Sequence, residues 1–185
     1  MNNIPTDIFN LQTQRLSIAP IQQNDANEIF KLYSSVDLMK YTDNELHTSI
    51  NDSRQLISRN EDLQENGHGV FCGITQNGTT GVCGTIRLYH FDWKHKFASI
   101  GCLLDKKIWN QGLMTEAVNA FCQSAFKHLP LNRIEAQVFK GNAASVRLFK
   151  KLNFTFEGEL RENFLINGKL ENSLLFSILR SDFEI

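Results

Sequence analysis

The chain changes character near Asp105, and that change limits the folds open to it. Before this point, Gly69 to Thr75, Gly81 to Leu88 and Phe97 to Leu104 have strand character. Gln76-Asn77-Gly78 suits a tight turn, because Asn-Gly accepts the positive backbone angles a hairpin needs. A three-strand meander is therefore predicted. Beyond Asp105, Leu113, Ala117, Ala120, Phe121 and Ala125 recur at helical spacing over Gly112 to Lys127. Arg133 to Phe139 then reads as a buried strand and Asn142 to Leu152 as another helix. A meander that feeds a strand-helix-strand-helix run belongs to the α/β class, with helices covering a sheet.

The flanks extend this plan. Arg15 to Ile21 alternates as a half-buried strand does, and Pro20 ends its regular ladder. From Asp25, Ala26, Ile29, Phe30, Leu32 and Tyr33 predict a helix that Asn24 or Asp25 caps. Ser49 to Leu63 predicts a second helix, with Asn66-Gly67 as its left-handed stop. Phe154 to Glu159 and Leu174 to Leu179 close the chain as strands around Asn167-Gly168. With 185 residues and no proline- or serine-rich linker, one domain over residues 1–185 is expected.

Several function classes drop out. Nineteen basic against 20 acidic residues give a net charge of -1, unlike a protein built to neutralise nucleic-acid phosphates. Cys72, Cys83, Cys102 and Cys122 form no C-x-x-C pair, so neither a zinc cage, a redox dithiol nor a disulfide framework is suggested. The run His90 to His95 fits no common zinc spacing and reads as a surface loop. No G-x-S-x-G elbow supports a hydrolase triad. The start of the chain lacks a basic segment followed by an apolar run, and no stretch of about 18 apolar residues occurs. A cytoplasmic protein is expected. The Phe residues at 121, 126, 139, 149, 154 and 156 fall on faces that pack helices to sheet, so they are expected in the core.

The stretch Gly101-Cys102-Leu103-Leu104-Asp105-Lys106-Lys107-Ile108-Trp109-Asn110-Gln111-Gly112-Leu113-Met114-Thr115-Glu116-Ala117 carries the chemistry. It runs from a strand through a polar loop into a helix that opens at Gly112. The first turn of a helix leaves amides without partners at the positive end of the dipole, which suits a phosphate. Gly112 lets a ligand come close to the backbone, and Thr115 adds a hydroxyl.

Together with Leu131-Asn132-Arg133-Ile134-Glu135-Ala136, the run from Asn142 through Ser145 and Lys151 to Phe154, and Glu157-Gly158-Glu159-Leu160-Arg161, this stretch resembles the GNAT superfamily of N-acetyltransferases. Within that superfamily it resembles the RimJ/RimL-like branch that acetylates alanine and serine ends of ribosomal proteins. Thr13-x-Arg15-Leu16 and Asn167-Gly168-Lys169 fit the same pattern. The resemblance implies a mixed, mostly antiparallel sheet of six to seven strands, splayed in the middle and flanked by about four helices. It implies acetyl-coenzyme A as co-substrate, an amine acceptor, and no metal. The pantetheine arm would pair with Cys102, Leu103 and Leu104, and a backbone N–H near Leu103 or Leu104 would face the attacked carbonyl. The pyrophosphate would lie on the amides of Asn110, Gln111, Gly112, Leu113, Met114 and Thr115. Asn142 would bind the pantetheine end, and Ser145 would lie near the sulfur.

Departures from the pattern matter as much. Trp109-Asn110 stands where the family has Arg or Gln followed by Gly, and Asn accepts the left-handed backbone that Gly would supply. Met114 occupies a position often filled by Gly or Ala. Ser99 takes the place of a common glutamate base, and Phe149 that of a tyrosine acid, which leaves Ser145 as the proton donor. An α-amine has a pKa near 8, against about 10.4 for lysine, so it needs less help from a base. The expected reaction is acetyl transfer to the N-terminal α-amine of a peptide or ribosomal protein. A small-molecule amine or antibiotic is the alternative acceptor, and a catalytically weak acetyl-coenzyme A sensor the alternative class. Glu157, Glu159 and Glu162 either attract a cationic peptide or form a solvated strand face.

Overall fold

The computed structural model describes residues 4–5, 7–42, 44–166 and 168–183. A short strand, β1 (Leu11–Gln12), pairs with β2 (Leu16–Pro20). Helices α1 (Ala26–Tyr33), α2 (Val36–Met39) and α3 (Ile50–Glu65) follow, then the strands β3 (Gly69–Gln76), β4 (Gly84–Asp92) and β5 (Phe97–Leu104). Helix α4 (Leu113–His128), strand β6 (Arg133–Phe139), helix α5 (Ala143–Lys151) and strands β7 (Thr155–Ile166) and β8 (Lys169–Leu179) complete the order. The eight strands form one sheet in the order β1-β2-β3-β4-β5-β6-β8-β7. Neighbours are antiparallel except β5 and β6, which run parallel.

Two apolar layers hold this sheet. On one face, Leu113, Ala117, Val118, Phe121, Cys122, Ala125 and Phe126 of α4 pack with Ile18, Ile74, Ile86 and Ile100 from the strands and with Phe149 of α5. The spacing of those α4 residues makes the apolar stripe that a helix on a sheet requires. On the other face, Ile29, Leu32 and Tyr33 of α1 pack with Leu38, Met39, Ile57 and Phe71. Helix α4 ends where Leu129, preceding Pro130, turns extended at φ -109° and ψ 150°, as a residue before proline does. Arg180 then binds the carbonyls of Leu129 at 2.6 Å and Leu131 at 2.8 Å, which fixes the entry into β6.

The element count exceeds the expectation by β1 and by α2, both too short for periodicity to reveal. The Asn77-Gly78 hairpin also differs. Strand β4 starts at Gly84, not Gly81, after a wider connection over residues 77–83. The Asn77 side chain reaches the carbonyls of Thr13 and Gln14, both at 3.2 Å, and its N–H reaches that of Arg15 at 2.9 Å. Those bonds tie the connection to the β1–β2 turn. The closing ribbon is longer than expected, with pairing from Thr155↔Ser177 to Ile166↔Lys169. Its outer half is polar and exposed, so no burial alternation marks it in the sequence. Asn167 lies outside the described residues. Of the six phenylalanines expected in the core, Phe121, Phe126, Phe149 and Phe154 are buried, Phe139 is half-buried, and Phe156 is 51% exposed on the edge strand β7.

Phe121 has no exposed surface and stacks on Phe9 at a centroid distance of 4.5 Å. Phe121→Ala is expected to lower unfolding free energy by about 3–5 kcal/mol. Urea titration checks this, and a loss below about 1 kcal/mol would mean that the site collapses onto the cavity.

Candidate active site

The parallel pair β5–β6 lasts for only Phe97↔Arg133, Ala98↔Ile134 and Ser99↔Glu135. Past Ser99 the strands part, while β5 stays paired to β4 up to Leu104 and β6 to β8 up to Phe139. Antiparallel residues alternate between bonding their partner and pointing away from it. Asp105 N–H donates to Cys83 O at 2.8 Å, which sets the phase of the β4–β5 ladder. The groups of Leu103 therefore bond Thr85, the Ile100 N–H is taken up by the last parallel pair, Ser99↔Glu135, and the groups of Cys102 and Leu104 point into the gap. Trp109 closes one of them: its indole N–H donates to Leu104 O at 2.7 Å, which leaves the Leu104 N–H directed into the gap. Of the two amides named from the sequence, the register thus selects Leu104.

A cavity of about 690 Å³ opens here, between the parted strands and the start of α4. It brings together the residues singled out for coenzyme binding, Cys102, Leu103, Leu104, Asn110, Gln111, Gly112, Leu113, Met114, Thr115, Asn142 and Ser145, and with them Phe149 at the place of the tyrosine acid. Asn110 is left-handed at φ 59°, the conformation Gly would have supplied, and Gly112 follows at φ 75° as the N-cap of α4. The first backbone bond of the helix runs from Glu116 N–H to Gly112 O at 3.1 Å. The amides of Leu113, Met114 and Thr115 thus have no intrahelical acceptor. Asn142 caps α5, its Oδ1 accepting from Ser145 N–H at 3.1 Å. The Ser145 hydroxyl has no hydrogen bond among the described residues and borders the cavity. Phe149 is buried against Phe154 and Phe176, at 4.9 and 6.4 Å.

Tyr33, Tyr41, Tyr89, Thr85 and Arg87 also line the cavity, as do Arg147 and Lys151 of α5. Burial raises the Tyr33 phenol, opposed by the charge of Arg87 and a hydrogen bond with Thr85, so it stays protonated. Burial likewise pushes the Cys102 thiol up to about 12, which removes it as a thiolate nucleophile. Asp37 is the carboxylate lining the cavity among the described residues, and its hydrogen bond from Lys106 at 2.7 Å holds it below the usual range. Ser99 does not line the cavity; it ends the β5–β6 ladder opposite Glu135.

The glutamate cluster belongs to the strand surface. Glu157 binds Arg133 at 2.6 Å and the Ser177 hydroxyl. Glu159 binds Lys140 at 2.8 Å, and Glu162 is an exposed left-handed residue at φ 49°. None of the three borders the cavity. Asp92 binds the main-chain N–H of His95 at 2.7 Å, which makes 92–95 a capped turn. Two residues that the motif blocks contain without a site role contribute here: Trp109, whose ring acts at Leu104, and Arg15, whose Nη1 donates to Gln111 O at 2.8 Å.

The Acetyltransferase (GNAT) domain family matches residues 15–155. The uncharacterized N-acetyltransferase YoaA of Bacillus subtilis strain 168 is 32% identical over 170 residues, 92% of this chain and 96% of its own. Among solved structures, RimL, a ribosomal L7/L12 alpha-N-protein acetyltransferase in complex with coenzyme A, superposes with a TM-score of 0.86 at 18% identity, covering 94% of this chain and 99% of that one. The spermidine N-acetyltransferase of Vibrio cholerae, in complex with coenzyme A and spermine, gives a TM-score of 0.82 at 20% identity, covering 92% of this chain and 98% of its own. The opened sheet and the glycine-led helix are thus set in a GNAT fold, and the chain belongs to the GNAT acetyltransferase family.

Trp109→Phe keeps a ring at the mouth of the gap and deletes the N–H that satisfies Leu104 O. It is expected to cost about 1 kcal/mol in urea unfolding. An unchanged midpoint would remove that bond from the account.

Proposed function

We propose that the chain transfers an acetyl group from acetyl-coenzyme A to the N-terminal α-amine of a peptide or protein. The parted strands carry this reading. A pantetheine arm laid along β5 meets the outward carbonyl of Ile100 and the outward groups of Cys102 as a further strand would. The cradle from Asn110 to Thr115 offers left-handed turns and free first-turn amides to the diphosphate, whose charge the helix dipole favours. The Asn142 side-chain amide faces the pantetheine end.

The chemistry asked of the chain is limited. The Leu104 N–H points where charge develops on the thioester oxygen during attack, and a donor fixed by its strand needs no reorganisation. The Ser145 hydroxyl is the proton donor for the leaving sulfur, a modest task because a thiol titrates near pKa 8.5. The described wall carries no carboxylate with a raised pKa to strip a proton from an ammonium. An α-amine, with a pKa near 8, supplies its own neutral fraction at physiological pH. RimL, named for a ribosomal acceptor, agrees with this choice, whereas relatives named for spermidine represent the competing small-amine acceptor.

Turnover on peptides with free N-termini, set against spermidine and lysine side-chain amines, tests the acceptor. Peptide acetylation above the acceptor-free rate is the expected result, and turnover on the polyamine alone would replace the peptide reading. Ser145→Ala should lower kcat by about 10- to 100-fold with little change in affinity for acetyl-coenzyme A. Equal kcat would exclude Ser145 as the donor.

A further inference from the structure

Arg15 reaches the start of α4 from the β1–β2 turn, far away in sequence. Its Nε binds Glu116 Oε2 at 2.7 Å and its Nη1 donates to Gln111 O at 2.8 Å. A methyl group placed on Gly112 would meet Arg15 Nη2 at 3.7 Å, so the third nitrogen of the fork lies beside the cradle. Glu116 is held from the same turn by Thr13 Oγ1 at 2.6 Å and by the Arg15 main-chain N–H at 2.9 Å. The turn is braced in its own right by the Asn77 bonds to Thr13, Gln14 and Arg15.

This arrangement answers an electrostatic problem. An acid in the first turn favours the helix through the dipole, but its charge opposes an anion bound at the same amides. Glu116 is an acid of this kind. Burial acts to raise its pKa, but the bonds from Thr13 and Arg15, together with the guanidinium charge, outweigh burial and hold it ionised below the usual range. The charge is therefore permanent and needs a permanent partner. Arginine suits the place, because its planar fork serves a carboxylate, a carbonyl and a neighbouring anion at once.

We propose that Arg15 is a positioning residue for coenzyme A: it cancels the Glu116 charge beneath the diphosphate and draws the Gln111 carbonyl aside, so that the cradle presents amides alone. The proposal rests on the cradle assigned above and adds a residue outside the loop and helix that form it. It accounts for a phosphate site with no basic side chain at the glycine turn: the neutralising cation arrives from the β1–β2 turn at the edge of the sheet.

Calorimetry with coenzyme A on four proteins tests it: the native chain, Arg15→Met, Glu116→Gln and the double variant. Arg15→Met is expected to weaken binding on the order of tenfold, with the loss shrinking as salt is raised. The double variant is expected to regain most of that loss, because no charge is left to cancel. Normal affinity in Arg15→Met, or a double variant as weak as Arg15→Met, overturns the proposal, since a purely structural brace would not be rescued by removing its partner's charge. Thermal melts accompany each titration. If Arg15→Met does not fold, Arg15→Lys takes its place, with affinity between native and tenfold-weakened expected and native affinity contradicting the need for the fork. Gly112→Glu in the same series separates the two levels. Its loss of binding beside a silent Arg15→Met sinks only the role of Arg15, whereas normal binding by Gly112→Glu sinks the cradle as well.

Discussion

The parting of β5 from β6 after Ser99 is the constraint on which the rest of the structure depends. A sheet interior normally exhausts its backbone hydrogen bonds, and unpaired groups in such a place carry a penalty. Here each strand is held on its outer side, β5 by β4 and β6 by β8, so neither can close the gap without breaking a ladder already made. What remains is a slot lined by fixed donors and acceptors, with the long helix α4 beginning at its mouth. Trp109 adjusts this slot by occupying the Leu104 carbonyl and leaving the Leu104 amide.

The site is built from dipoles more than from charged side chains. Left-handed residues at 110 and 112 and the first turn of α4 concentrate donors in one place. Two of the charged pairs nearby are Arg15 with Glu116 and Lys106 with Asp37, and Arg87, Arg147 and Lys151 also line the cavity. The chain as a whole is near neutrality, with a net charge of -1. Tyr33, Tyr41, Tyr89 and Thr85 line the same cavity.

Much of this was legible in the residues. Beta strands β5 and β6 and helix α4 carry strong periodicity because each is buried on a sheet face, and they fall where expected or within a residue. Asn110 could be read as a left-handed residue from its side chain alone, and the cavity gathers the residues named from the motif blocks. What stayed hidden has physical causes. The outer half of the β7–β8 ribbon is held by backbone pairing with little burial, so its side chains show no alternation. The wider connection after Gln76 exists because Asn77 bonds a turn some 60 residues away, a contact no local pattern records. The same holds for Arg15, whose partners in α4 are distant in sequence. The choice of Leu104 over Leu103 required the register, since a shift of one residue exchanges which amide faces the gap.

Amide hydrogen exchange at Cys102 and Leu104, followed by NMR with and without coenzyme A, tests the opened sheet most directly. The account predicts that these amides, free in the gap, exchange faster than Gly101 and Leu103 in the unliganded protein, and that coenzyme A slows Cys102 and its neighbours selectively. Exchange at all four positions that is equally slow, and unchanged by coenzyme A at saturation, would contradict it.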